Sequence, residues 1–125
     1  MITIQEADKI HKILIERFGG TGGVRDMRVL DSALKRPYAT FDKKDLYPSP
    51  IEKAAAIIES IIINHPFLDG NKRLGYVLMR LLLIEYHHDI SAFKSEKYAF
   101  VLSISKGELN LKGICTWIKN HITEE

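Results

Sequence analysis

Residues 65 to 73 read "HPFLDGNKR", which places an imidazole, a carboxylate, a carboxamide and two cations within nine positions. That set suits phosphate chemistry. Pro66 keeps His65 out of helical conformation, so the helix before it ends at or just before the histidine. Asp69-Gly70 makes a turn, and a new helix starts around Gly70 or Asn71. The first N–H groups of a helix lack intrahelical partners, and the macrodipole makes that end electropositive. Phosphate binds readily there. Asn71 adds a side-chain amide, while Lys72 and Arg73 add full positive charges, the arginine as a bidentate fork.

Asp69 is the odd member of an anion cradle. It either caps the helix, as aspartate commonly does, or holds Mg²⁺, which takes one or two carboxylates together with phosphate oxygens. A divalent ion between Asp69 and a polyphosphate turns repulsion into a bridge, and the two readings are compatible. His65 lies four residues before the carboxylate and six before the amide. It either bonds the last carbonyls of its helix or acts as the base that takes a proton from an attacking hydroxyl. Phe67 reads as a core plug that fixes the loop.

Helices must hold this loop on both sides. Upstream, Ser49-Pro50-Ile51-Glu52 combines an N-cap, a proline at the first helical position and a capping-box glutamate. The helix that follows, "IEKAAAIIESIIIN", is apolar nearly all round and therefore central. Downstream, "NKRLGYVLMRLLLIEYHH" is a second central helix, and Gly75 within it marks a close backbone contact. Thr3 and Glu6 cap a first helix with Ile4, Ala7, Ile10, Leu14 and Phe18 at helical spacing, stopped by Gly19-Gly20. "GGTGGVRD" is a loop; it lacks the Lys-Ser/Thr and the preceding strand of a phosphate loop. A short helix from about Asp26 presents Val29, Leu30, Ala33 and Leu34 and ends near Arg36, before Pro37.

"YATFDKKDLYPS" reads as an irregular loop or a small hairpin with its tip at Asp42-Lys43-Lys44-Asp45. After an extended link, "DISAF", a helix from Ser95 sets Tyr98, Val101, Leu102 and Ser105 on one side. A last helix from Asn110 buries Leu111, Ile114, Cys115, Ile118 and Ile122. With no repeat or linker, residues 1–125 are expected to form one all-α bundle of about six helices.

Composition agrees: 125 residues, 46% hydrophobic and 27% charged, is globular composition, and a chain of this length buries roughly two-thirds of its unfolded surface. A net charge of +2 is too small for the basic stripe of a nucleic-acid binder, so no direct nucleic-acid binding is expected. No apolar run is long enough to span a membrane, the start lacks a signal-peptide pattern, and the single cysteine fits a reducing compartment; a cytoplasmic location is expected.

The nonapeptide also resembles the Fic/Doc signature: histidine, any residue, phenylalanine, any residue, an acid, Gly-Asn, a variable position, arginine. The similarity extends to "GGVRDMRVLDSALKRPYATF" and to "DLYPSPIEKAAAIIESIIINHPFLDGNKR", covers at least residues 3 to 85, and is strongest with the Doc (death-on-curing toxin) branch. The resemblance implies a small helical toxin that transfers part of ATP to a protein hydroxyl. His65 would be its catalytic base and Asp69 its Mg²⁺ ligand. Gly70, Asn71, Lys72 and Arg73 would hold the phosphates, and "YATFDKKDLYPS" would be the flap that aligns the target.

Two positions depart from the AMP-transferring Fic enzymes. Those usually have glycine where Lys72 stands and a second arginine where Tyr76 stands. The Doc branch shares both departures and is thought to bind ATP reversed. The resemblance therefore implies delivery of the γ-phosphoryl group to a Ser, Thr or Tyr hydroxyl, with AMP transfer or a silent nucleotide- or antitoxin-binding module as the alternatives. By family analogy the target belongs to the translation machinery. No Ser or Thr is followed four residues later by Glu, so the inhibitory helix of many Fic proteins is missing from this sequence, and inhibition is expected from a separate antitoxin.

Other candidates have plain readings. His87-His88 is a solvent-facing helix end rather than a metal site, because adjacent helical residues diverge. Cys115 is inert core. Trp117 and Tyr86 pack or line a partner groove, and Lys43 and Lys44 form a solvated turn or dock an acidic target.

Overall fold

A computed structural model of the chain describes residues 1–124. Among them are six α-helices: α1 (Ile4–Phe18), α2 (Met27–Lys35), α3 (Pro50–Asn64), α4 (Asn71–Glu85), α5 (Lys94–Ser105) and α6 (Leu111–His121). Four short strands complete the framework: β1 (Thr40–Phe41), β2 (Lys44–Asp45), β3 (His88–Ile90) and β4 (Ile122–Glu124). The fold is mostly α, as expected, with the strands confined to two small ribbons.

The start of α3 follows its sequence closely. Ser49 Oγ accepts from the Glu52 amide at 3.1 Å, and Pro50 occupies the first turn. Ala54, Ala55, Ile58, Ile61 and Ile62 are fully buried, and α3 packs against α2, α4, α5 and α6. The small residues and Gly75 let α3 and α4 approach closely. A Cβ on Gly75 would lie 3.0 Å from Ile62 Cγ1 and 3.4 Å from Ile58 Cγ1. The two helices that carry the loop are thereby locked side by side.

Polar contacts decide several features that periodicity did not show. In α1 the fully buried positions are Ala7 and His11, whereas Phe18, assigned to the apolar stripe, is exposed. Lys53, inside an apolar helix, is buried; its ammonium donates to the carbonyls of Pro37 and Tyr47. Arg36 Nε donates to Tyr47 Oη at 2.9 Å and its Nη1 to Ser60 Oγ at 2.9 Å. These bonds tie the base of the β1–β2 hairpin to α3. The hairpin is real, and its two turn residues, Asp42 and Lys43, have φ of 51° and 64°, as a tight primed turn requires.

Several expectations are corrected beyond α4. α5 begins at Lys94, and it buries Phe100 and Ile104 while Tyr98 is 67% exposed. The "DISAF" link is partly strand: β3 pairs antiparallel with β4, placing Ile90 opposite Ile122. Ile122 therefore belongs to a strand rather than to the last helix. His88 lies in β3, half-buried, while the exposed His87 precedes it with φ 66°. A ribbon closing the bundle depends on pairing residues over thirty positions apart, which helical periodicity cannot register. Trp117 packs internally, stacked between Phe100 at 3.8 Å and His121 at 4.0 Å. Cys115 is half-buried, and burial pushes its thiol up.

Candidate functional site

The loop between α3 and α4 is held from outside by the glycine loop after α1. The amides of Arg25 and Asp26 donate to the Pro66 carbonyl at 2.8 and 3.1 Å, and the Leu68 amide donates to the Gly23 carbonyl at 3.1 Å. Val24 and Phe67 form an isolated bridge. Arg25 also donates to the carbonyls of Asn64 and His65 at the end of α3, where a cation is favoured by the helix dipole. Those carbonyls are thus capped by arginine, and the exposed His65 ring is left for other work. His65 itself adopts a left-handed conformation, φ 48° and ψ 62°, rather than the extended one that a following proline favours.

Phe67 is fully buried, as the plug reading requires, and stacks on His11 of α1 with ring centroids 3.8 Å apart. His11 Nε2 lies 2.7 Å from the Asp69 carbonyl oxygen. A carbonyl only accepts, so Nε2 carries the proton. The Asn71 side chain is buried and braces the loop from within. Its Oδ1 accepts from the Phe67 amide at 3.1 Å, and its Nδ2 donates to the Phe67 carbonyl at 2.9 Å. One N–H of the side chain expected at the phosphates is thus held by Phe67, and the second is left to donate elsewhere.

Gly70 starts α4 with φ 76°, and no side chain caps that end. Asp69 does not cap it. Its Oδ2 accepts from the Thr21 amide at 3.1 Å and its Oδ1 from the Gly70 amide at 2.8 Å. These bonds, Thr21 first, hold its carboxyl below the usual carboxylate range. The carboxylate is exposed and ionised, with lone pairs left for a cation. The α4 N-terminus beside it opens into a cavity of about 420 Å³ lined by Asp69, Gly70, Asn71, Lys72 and Arg73 on one side and by α5 residues on the other. Arg73 carries its guanidinium 4.3 Å from the centroid of the Phe18 ring, which explains the exposed aromatic at the end of α1.

A family model described as "Fic/DOC family" matches residues 1–83, about two-thirds of the chain. The chain belongs to the Fic/DOC family. It is also 48% identical over 59 residues to a protein named "Toxin Doc" from Mycolicibacterium smegmatis, a match that covers 47% of this chain and 45% of that protein. The chain thus matches about half the length of that curated relative.

Within this Fic/DOC chain the structure brings Asp69, Gly70, Asn71, Lys72 and Arg73 around one cavity, and it sets His65 at the opposite end of the same loop. No cluster of three or more His, Cys, Asp or Glu able to hold a metal occurs among the described residues. Asp69 nonetheless fits a Mg²⁺ site of the kind that uses one protein carboxylate and fills its remaining positions with water and phosphate oxygens. Sequence reading missed His11, Thr21 and the α5 residues Lys94, Lys97 and Tyr98. The first is a polar residue hidden in an apolar stripe, the second contributes only backbone, and the last three reach the site through packing of distant segments. No helix of the described residues is long and apolar enough to cross a membrane.

Proposed function

We propose that this Fic/DOC chain is a Doc-like toxin of the cytoplasm that transfers the γ-phosphoryl group of ATP to a Ser, Thr or Tyr hydroxyl of a target protein, by family analogy in the translation machinery. The observation that carries the reading is the pairing, across one short loop, of an unpaired imidazole with an uncapped helix N-terminus. That terminus stands beside an ionised carboxylate. Asp69 would hold Mg²⁺, which when bound neutralises phosphate charge. The first-turn amides of α4, with Lys72 and Arg73, would bind and orient the phosphates. Asn71 fixes the loop through Phe67, and its second N–H would add to the phosphate site that it lines.

His65 takes the proton of the target hydroxyl as its oxygen attacks the γ-phosphorus. A new O–P bond forms, the bond from the γ-phosphorus to the β–γ bridging oxygen breaks, and ADP leaves with that oxygen. Such a transfer needs a hydroxyl held in line with the leaving group, which is the task assigned to the β1–β2 flap. Its anchorage through Lys53 and Arg36 supports that task. Restraint would come from a separate antitoxin protein bound in trans.

The reading is tested with purified protein in a cell lysate containing Mg²⁺, comparing ATP labelled at the γ-phosphate with ATP labelled at the α-phosphate and using His65→Ala as the control. Protein label from the γ position alone supports phosphoryl transfer. Label from the α position means nucleotidyl transfer instead. Expression in cells should halt growth for the wild type and spare it for His65→Ala; equal harmlessness would remove the toxin reading.

A further inference from the structure

The carbonyls of Asn64, His65 and Pro66 follow one another along the exit from α3, and one residue of the glycine loop takes all three. Arg25 Nη2 donates to the Asn64 carbonyl at 2.7 Å, its Nε to the His65 carbonyl, and its backbone amide to the Pro66 carbonyl at 2.8 Å. Between these bonds His65 stands at φ 48° and ψ 62°. A residue that carries a Cβ disfavours that left-handed region, and a following proline draws its predecessor toward extended backbone. Such a conformation persists only where the surroundings over-determine it. His65 is exposed while Pro66 is buried, so the backbone rather than packing of the ring sets where the imidazole points.

We infer that Arg25 is the positioning residue of the candidate base: by capping the end of α3 it holds His65 in the left-handed conformation and so aims the imidazole at the attacking hydroxyl. The inference rests on the proposed phosphotransfer and adds to it a residue outside the nonapeptide. Arginine suits the task. Its planar fork spans two neighbouring carbonyls, and its charge is favoured at a helix C-terminus, whereas a lysine offers a point charge on a flexible stem. The fork also arrives already placed, because the backbone of the same residue is bonded to Pro66. Arg25 does not line the cavity at the α4 N-terminus, which separates its role from nucleotide binding. A base works only within hydrogen-bond reach of the proton it takes. Relaxation of His65 to extended backbone swings its Cβ and carries the ring out of that reach. A misplacement of about 1 Å already costs about a hundredfold in rate.

The test compares wild type, Arg25→Ala and Arg25→Lys in the lysate assay with γ-labelled ATP and Mg²⁺, reading initial labelling rate against ATP concentration. The Cα and Cβ carbon NMR shifts of His65 are read beside it. Arg25→Ala should label about a hundredfold more slowly at saturating ATP with an unchanged apparent KM for ATP. Added ethylguanidinium should restore part of that rate and leave the wild type as it was. The His65 Cα signal should move upfield and its Cβ signal downfield, the direction of extended backbone. Arg25→Lys keeps the charge and loses the fork; it should also be slow, and it carries the test if the alanine variant does not fold. A full saturating rate in either folded variant overturns the assignment and leaves the phosphotransfer reading standing. A raised KM with the saturating rate kept also overturns it, since Arg25 would then serve the nucleotide. Absence of γ label with the wild type removes the phosphotransfer reading instead; unmoved His65 shifts in the variants would then overturn the hold on His65 as well, and moved shifts would uphold it.

Discussion

His11 and Asp69 stand 58 residues apart in sequence, yet His11 Nε2 donates to the Asp69 carbonyl across 2.7 Å. Its ring also lies flat on Phe67. One side chain on α1 therefore fixes the loop at two points, and its Nδ1 is buried without a partner.

His11→Ala should cost roughly 3 kcal/mol, in line with truncating a buried ring. His11→Phe keeps the stack and loses only the hydrogen bond, so it should cost roughly 1 kcal/mol. Urea denaturation of the three proteins measures both. Equal losses in the two variants would mean that the ring stack contributes nothing.

Gly20 is where the glycine loop presses on Asp69. With φ +114°, a Cβ there would sit 2.8 Å from Asp69 Oδ2. Gly20→Ala should push the carboxylate off the Thr21 amide. NMR titration of the metal-free protein reads this directly. In the wild type the Asp69 midpoint lies below 3.8, because the bonds from Thr21 and Gly70 stabilise the charged form. The variant's midpoint should move back up. A depressed folded value contributes stability above 3.8 that fades as pH falls through the folded midpoint.

Lys53 carries the flap. Replacing it with methionine leaves the carbonyls of Pro37 and Tyr47 without their donor, at a cost of roughly 1–3 kcal/mol. Hydrogen exchange over residues 40–45 should quicken more than exchange in α4. Uniform acceleration across both would point to a global rather than a flap effect.

His121 clamps α6 to α5. Its Nδ1 bonds the Trp117 carbonyl at 2.7 Å and its Nε2 the Glu96 carboxylate at 3.0 Å. The Trp117 bond first, and then Glu96, raise its pKa above 6.5. A raised folded value means the stabilisation is complete below 6.5 and disappears as pH rises through the folded midpoint. The stability gap between wild type and His121→Gln should therefore be wider at about pH 5.5 than at about pH 9. A gap independent of pH would assign the whole effect to the stack on Trp117.

Helix starts were legible because their determinants are local: Thr3 with Glu6, and Ser49 with Pro50 and Glu52, act within one turn. Gly75 was legible too, since a glycine inside an apolar helix has little purpose except a close approach. The nonapeptide gave both the site and its family resemblance for the same reason. Its residues act on one another across a single loop.

Tertiary structure alone decided which groups are free and which are spent. Asn71 and Asp69 are both polar residues in a turn. Packing ties the Asn71 side chain to Phe67 through its carbonyl and one N–H and leaves the Asp69 carboxylate open on Thr21's amide. The role of His11 was not legible beside the apolar stripe of α1, because its acceptor is 58 residues away. The cavity wall on α5 and the β3–β4 ribbon are likewise products of contacts between distant segments. Backbone amides and buried rings acquire their partners through packing, which local residue patterns do not encode.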